Sequence, residues 1–281
     1  MRRPDSPEDV ALLRAFLEES CRRGLPQDLP VTPCLDVTVL MYFFWRPEVA
    51  DEKWPEFEGA LLETWRNCGL LKTVLVVDLP HRCVMNFSER YKNVSVQVEN
   101  RLVPGDINTM SFDCNARLYS RFESKYVLIV QNDGFPIRPG LDAFVKKGYD
   151  FYGAPHCRPQ LIPDILTRLC RYCPSNGGFS LRTRKLCKLA SRQWIDGRYE
   201  ERPFVEDIMA EDYFYTKTLP RISIRVWMSR SQAPSNLSDS FSYGAAFPLS
   251  ATEIPFGFHT ATGFAAIVKR FGDELAESLM S

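Results

Sequence analysis

The sequence predicts an α/β fold: a mainly parallel central sheet with helices on both faces. Three observations predict it. Short β-branched, apolar runs recur at Leu35–Phe44, Thr73–Val77, Val94–Val98 and Tyr126–Val130. Amphipathic stretches with helical spacing separate them. No internal repeat or low-complexity tract interrupts the alternation, and repeated strand–helix units build parallel sheets covered on both sides.

Taken in order, Ser6, Pro7 and Asp9 form a helix start, with a hydroxyl cap, proline in the first turn and an acidic third position. Val10, Leu13, Leu17 and Cys21 then share one face of a helix over residues 6–22. Gly24, Pro26, Pro30 and Pro33 punctuate a linker, so residues 1–33 are expected as a helix plus linker and residues 34–281 as the main domain. Phe57, Ala60, Leu61, Thr64, Trp65 and Cys68 recur at helical spacing, with Gly69 as the stop. A short helix is expected near 81–91, and another over Ile107, Met110, Cys114 and Leu118, capped by Asp106. In the second half, Tyr149–Gly153, Phe179–Arg182 and Ile222–Trp227 read as strands. Leu186 to Trp194 reads as a helix, and Phe264, Val268, Phe271 and Leu275 as a closing amphipathic helix.

Composition narrows the function. The chain has 281 residues, 45% hydrophobic and 25% charged, ordinary for a folded α/β protein and unlike a disordered one. Lys plus Arg and Asp plus Glu balance at 35 each, so no net positive field argues for a nucleic-acid partner. The first residues form no unbroken apolar stretch, and Val37–Trp45 is too short to span a bilayer. Nine scattered cysteines read as reduced thiols, and the expected compartment is cytoplasmic. His156, Cys157, Cys170 and Cys173 are zinc-type donors, but adjacent His-Cys is poor ligand spacing and a lone C-x-x-C reads as ordinary thiols.

Ligands of open α/β sheets bind beyond the carboxyl ends of the strands. The residues there are Tyr42 to Arg46 after the first strand, Asp78 after the second, and Gln131-Asn132-Asp133-Gly134-Phe135 after the fourth. Asp133 could ligate a divalent cation, although Asp-Gly is also a common turn. Ser175-Asn176-Gly177-Gly178-Phe179 joins paired glycines, which admit a close ligand, to an amide that both donates and accepts; an entry turn would use the same residues. Glu211-Asp212-Tyr213-Phe214 could supply a general base or simply begin a helix. Pro255 to His259 sets a histidine in an apolar, glycine-kinked segment.

Five strings carry a resemblance: Gln131–Phe135, Tyr149–Pro155, Asn176–Arg182, Glu211–Phe214 and Phe256–His259. Their order and spacing resemble an uncharacterised bacterial family of glycosyltransferase-like domains with the GT-A architecture, domain-of-unknown-function family 5672. That resemblance implies a nucleotide-diphospho-sugar transferase fold and transfer of a sugar to a hydroxyl of a small-molecule or glycan acceptor, such as a cell-surface or secondary-metabolite glycan. It implies Asp133 and His259 as ligands of Mn2+ or Mg2+, Asn176–Phe179 facing a sugar, and Asp212 as the base with Glu211 beside it. Tyr42 and Trp45 would flank the nucleotide, with Asp78, Gln131 and Asn132 near the donor. Gln131 stands where the first acid of a D-x-D motif would be, which keeps open a non-catalytic carbohydrate- or nucleotide-binding module on the same fold. No G-x-G-x-x-G follows the first strand, against a dinucleotide dehydrogenase, and no triphosphate-binding motif favours a nucleotidyltransferase.

Overall fold

A computed structural model describes residues 5–26, 29, 36–155, 175–196, 242–243 and 254–280. Its elements are α1 (Pro7–Arg23), β1 (Val37–Phe43), α2 (Pro47–Cys68), β2 (Lys72–Val77), α3 (Arg82–Arg90), β3 (Val94–Val98) and α4 (Ile107–Ala116). They continue with β4 (Tyr126–Ile129), α5 (Leu141–Lys147), β5 (Phe151–Pro155), β6 (Ser175–Thr183), α6 (Arg184–Asp196), β7 (Ser242–Tyr243), β8 (Gly257–Phe258) and α7 (Ala261–Met280). The expected strand at 222–227 lies outside the described residues.

Caps form where the sequence places them. Ser6 Oγ accepts from the Asp9 amide at 3.1 Å, and Asp106 Oδ1 from the Asn108 amide at 2.9 Å. Gly69 follows α2 with φ 78°. That helix begins at Pro47, well before Phe57, and runs through Pro55, because Ala50 and Trp54 continue its buried stripe.

Six strands form one sheet in the order β3-β2-β1-β4-β6-β5. The strands β3, β2, β1 and β4 are mutually parallel, while β6 runs antiparallel to both β4 and β5. The alternating side chains of these strands feed two cores. Val39, Met41, Phe43, Leu75, Val77 and Leu128 pack with α1, α2, α3 and α7. Leu40, Tyr42, Val76, Val127 and Ile129 pack with α4 and α6, where Trp194 is fully buried. The sheet is therefore mainly parallel with helices on both faces, as expected. Among the described residues, no helix is long and apolar enough to cross a membrane.

The N-terminal helix belongs to the first of these cores. Leu13 and Leu17 are buried in it. At the end of α1, Arg23 Nη2 reaches the fully buried Glu63 of α2 at 2.9 Å, a carboxylate also paired with Arg66. Gly59 of α2 lets α1 approach: a Cβ there would lie 2.6 Å from the backbone oxygen of Leu17. A backbone atom in a docked helix cannot rotate away. Gly59→Ala is therefore expected to cost about 1–2 kcal/mol of stability in denaturant unfolding, overriding the helix-propensity gain of roughly 1 kcal/mol. An unchanged or raised midpoint would contradict this packing.

Candidate functional site

The order of the strands fixes where the site sits. From β1 the chain steps outward through β2 to β3, then returns through α4 to β4 on the other side of β1. This reversal leaves a crevice between the carboxyl ends of β1 and β4, the place where open α/β sheets bind ligands. A cavity of about 420 Å³ lies there. Tyr42, Phe44 and Trp45 line it from the end of β1, and Gln131, Asn132 and Asp133 from the end of β4. Glu56 and Phe57 of α2, the start of α4, and Asp5, Val10, Leu13, Arg14 and Leu17 of the N-terminal segment complete the lining.

Three separated segments meet beside this cavity. After β4 the chain makes a tight turn in which the Gln131 and Gly134 amides donate to each other's carbonyls, at 2.8 and 3.1 Å. The segment before α7 then pairs with the residues that follow, Ile137 N donating to Phe256 O at 2.9 Å and Phe258 N to Phe135 O at 3.4 Å. Thr260 N donates to Asp133 O at 2.6 Å. The third segment arrives because β6 is antiparallel: Ile129 faces Ser180, so the residues just before Ser180 lie beside the end of β4. The glycine pair is thus inside a strand rather than in an entry turn. Gly153 pairs with Ser180 and Ala154 with Asn176, which leaves Gly177, Gly178 and Phe179 as a bulge that β5 does not match.

At Gly178 the approach is closest. A Cβ there would overlap both Gln131 Oε1 and His259 Nε2. These two atoms are 3.4 Å apart, and His259 Nε2 is 3.8 Å from Asp133 Oδ1. His259 is buried, whereas the Asp133 side chain is 37% exposed and faces the cavity. The backbone at this point is held in an unfavourable conformation: Thr260 has φ 86°, and its Oγ1 accepts from Gly263 N at 3.2 Å, capping α7. A non-glycine residue in this region costs about 1–3 kcal/mol, a strain typical of sites that must be held in one geometry.

The floor is stiffened by a charged network. Tyr42 Oη donates to Asp113 Oδ2 at 2.7 Å, and burial, followed by the neighbouring Cys114 and Asp113, pushes its phenol well above the ordinary range. It is a neutral hydrogen-bond donor whose hydroxyl proton is engaged by Asp113. Burial disfavours the Arg121 charge, but Asp113 and Glu99 outweigh it and hold the guanidinium above its usual value. Burial likewise opposes ionisation of Glu99, yet Arg121, the Arg101 amide and Arg117 keep its carboxyl below the usual range. Trp45 sits at the rim with Lys53 Nζ 5.9 Å from its ring centre.

The donor set can be tested for a metal. Two ligand bonds of about 2 Å each span up to about 4 Å, so one cation could bridge the Asp133 carboxylate and the His259 imidazole. Among the described residues no three His, Cys, Asp or Glu side chains converge on one point. The remaining ligands would be water and oxygens of a bound molecule. Asp133 and His259 fit such a two-point site, and the bare Cα of Gly178 is what lets the Gln131 and His259 side-chain ends lie against the strand.

Of the residues expected at the site, Gln131, Asn132, Asp133, Gly178, Phe179 and His259 are brought together, with Tyr42 and Trp45 across the cavity. Asn176 and Gly177 lie on the same strand, their backbone in β6. Asp78 stands apart: it is buried and bound to His81 Nε2 at 2.9 Å, away from the cavity lining. Glu211 and Asp212, and His156, Cys157, Cys170 and Cys173, lie outside the described residues. Sequence reasoning did not point to Arg14 or Glu56. The apolar stripe of α1 announced a partner but not which one, and no local pattern marks a charge that meets its neighbour across 42 residues.

A family model described as "Protein of unknown function (DUF5672)" matches residues 95–259. No curated protein matches significantly. Among solved structures, the chain is similar to a mannosyltransferase from Pyrobaculum calidifontis in complex with GDP-Man and Mn2+. The identity is 14% over 76% of this chain and 61% of that one, with a TM-score of 0.38. Core-mannan synthase A from Aspergillus fumigatus, in its Mn/GDP form, is similar at 8% identity over 67% of this chain and 68% of that one, TM-score 0.42. The mannosyltransferase Ktr4p from S. cerevisiae is similar at 11% identity over 77% of this chain and 74% of that one, TM-score 0.38. The chain thus spans about three fifths of the length of the Pyrobaculum protein.

Proposed function

The chain belongs to the DUF5672 family, and from that premise we propose that it is a glycosyltransferase of GT-A type, moving a sugar from a nucleotide-diphosphate donor to a hydroxyl acceptor. The observation that carries this reading is the meeting of Gln131 and His259 on the bare Cα of Gly178, with Asp133 beside the imidazole, at the edge of the β1/β4 cavity. Residues distant in sequence have been brought to one point, where a carboxylate and an imidazole lie bridgeable by one cation and a glycine admits the imidazole against the strand.

In the proposed reaction the acceptor oxygen forms a bond to the anomeric carbon, and the bond from that carbon to the donor's diphosphate oxygen breaks. Its electron pair leaves with the diphosphate. Asp212 takes the hydroxyl proton, with Glu211 beside it. When bound, a divalent cation supplies charge neutralisation at the leaving group. Asp133 and His259 would hold the cation, and Gln131 Oε1, 3.4 Å from the same imidazole nitrogen, helps to orient the ring. The rings of Tyr42 and Trp45 offer apolar surface to the nucleoside.

Gln131 in place of a second carboxylate also favours a rival reading, a binding module that retains the donor site without turnover. A panel of sugar nucleotides, with and without Mn2+, scored by thermal shift and product formation, separates the two. Selective stabilisation by one donor is expected, because a ligand bound by the native state alone raises stability. Asp212→Asn should then lose turnover by about 100-fold or more while keeping the donor-induced shift, since proton transfer by a placed base contributes about 10²–10⁴-fold. Donor binding without transfer to any acceptor would favour the binding module; no stabilisation by any sugar nucleotide would overturn both.

A further inference from the structure

The wall of the cavity that α1 builds carries a charge with no role in the reaction described so far. Arg14 stands near the middle of α1 and lines the cavity. Among the described lining residues it is the one cation, in a cavity whose lining also includes Asp5, Glu56 and Asp133. Its Nε and Nη2 both donate to Glu56 Oε1, at 3.0 and 2.6 Å. A guanidinium has five N–H donors, so three remain for another partner. The side chain is 43% exposed, leaving those donors open to a ligand.

The placement is fixed from both ends. Glu56 Oε2 accepts from Asn132 Nδ2 at 2.9 Å, so the guanidinium stands two hydrogen bonds away from the residue next to Asp133. At the start of α1, Asp5 Oδ1 accepts from Thr262 Oγ1 at 2.8 Å, close after His259 and Thr260. One helix is thereby tied to both sides of the Asp133–His259 pair. A cavity that otherwise holds three carboxylates repels a polyanion, and a planar fork of donors is the group best suited to hold phosphate oxygens.

We infer that Arg14 binds a phosphate of the donor's diphosphate, so that α1 supplies part of the donor site from outside the matched residues 95–259. The inference rests on the donor class proposed above. Arg14 keeps one edge on Glu56 and presents its remaining N–H groups to the phosphate.

Calorimetric titration of UDP and GDP in the presence of Mn2+ tests it, on the full chain and on Arg14→Met, Glu56→Gln and the double variant. Arg14→Met is expected to weaken binding of the preferred nucleotide about tenfold or more, as loss of one charged hydrogen bond does, with little change in melting midpoint. The double variant should remain about tenfold weaker than Glu56→Gln alone. Affinity within twofold of the parent in Arg14→Met would overturn the inference. So would a double variant that binds as well as Glu56→Gln alone, because Arg14 would then act only by neutralising Glu56. Should Arg14→Met fail to fold, Arg14→Lys serves in its place: it keeps the charge without the fork and is expected to bind severalfold more weakly, parent-like affinity again overturning the inference. If the parent binds neither nucleotide, the donor reading itself fails and takes this inference with it; parent binding that Arg14 does not influence sinks the inference alone.

Discussion

Gly178→Ala is expected to reduce sugar transfer by about a hundredfold while the protein stays folded. The added methyl would overlap Gln131 Oε1 and His259 Nε2, both at the ends of side chains. Side-chain ends can give way, so the strand survives, but they cannot do so without moving the imidazole away from Asp133. The imidazole has little room on its other side, since a Cβ on Gly134 would already lie 2.9 Å from His259 Cδ2. A displacement of about 1 Å at a reacting centre costs on the order of a hundredfold. Transfer rates and melting midpoints, measured on one preparation, check this. Parent-like activity would mean that the seating of His259 and Gln131 against Gly178 does not set the geometry used in transfer.

Asp133→Asn is expected to produce a loss at least as large, about a hundredfold or more in metal-supported donor binding, because replacing even an outer partner of a metal ligand costs about 10–100-fold. Stability should hardly change. The Asp133 side chain is 37% exposed, and its Oδ1 stands 3.8 Å from His259 Nε2. Exposed substitutions of this kind usually fall within about 0.5 kcal/mol. Titration of the donor with and without Mn2+ is the readout. A variant that binds donor normally and loses only turnover would move Asp133 from the leaving group to the chemical step.

Much of the fold was legible because its cause is local. Continuous β-branched runs at Val39 and Val74 can only be satisfied by burial on both faces, and β1 is buried along its whole length. Ser6 and Asp106 cap helices with their own side chains, so three or four residues suffice to predict those starts. The direction of β6 was not legible, since it depends on pairing between Ile129 and Ser180, far apart in the chain. Nor was α5, whose seven residues make fewer than two and a half turns between Gly140 and Gly148.

The candidate site divides in the same way. Gln131–Phe135, Gly178–Phe179 and Phe256–His259 are short strings with unusual chemistry, and they were visible one by one. Their meeting depends on the antiparallel β6, its bulge and the strained turn at Thr260, none of which has a local signature. Asp78 illustrates the converse. Its position after β2 suggested a ligand contact, but His81 lies within the next turn of chain and takes its carboxylate.

Two buried histidines, each beside an aspartate, permit a direct discrimination. Paramagnetic broadening of histidine ring resonances by substoichiometric Mn2+, with nucleoside diphosphate present, distinguishes the Asp133–His259 pair from Asp78–His81. The account predicts that His259 broadens strongly and His81 stays sharp. A sharp His259, or equal broadening of both rings, would contradict it.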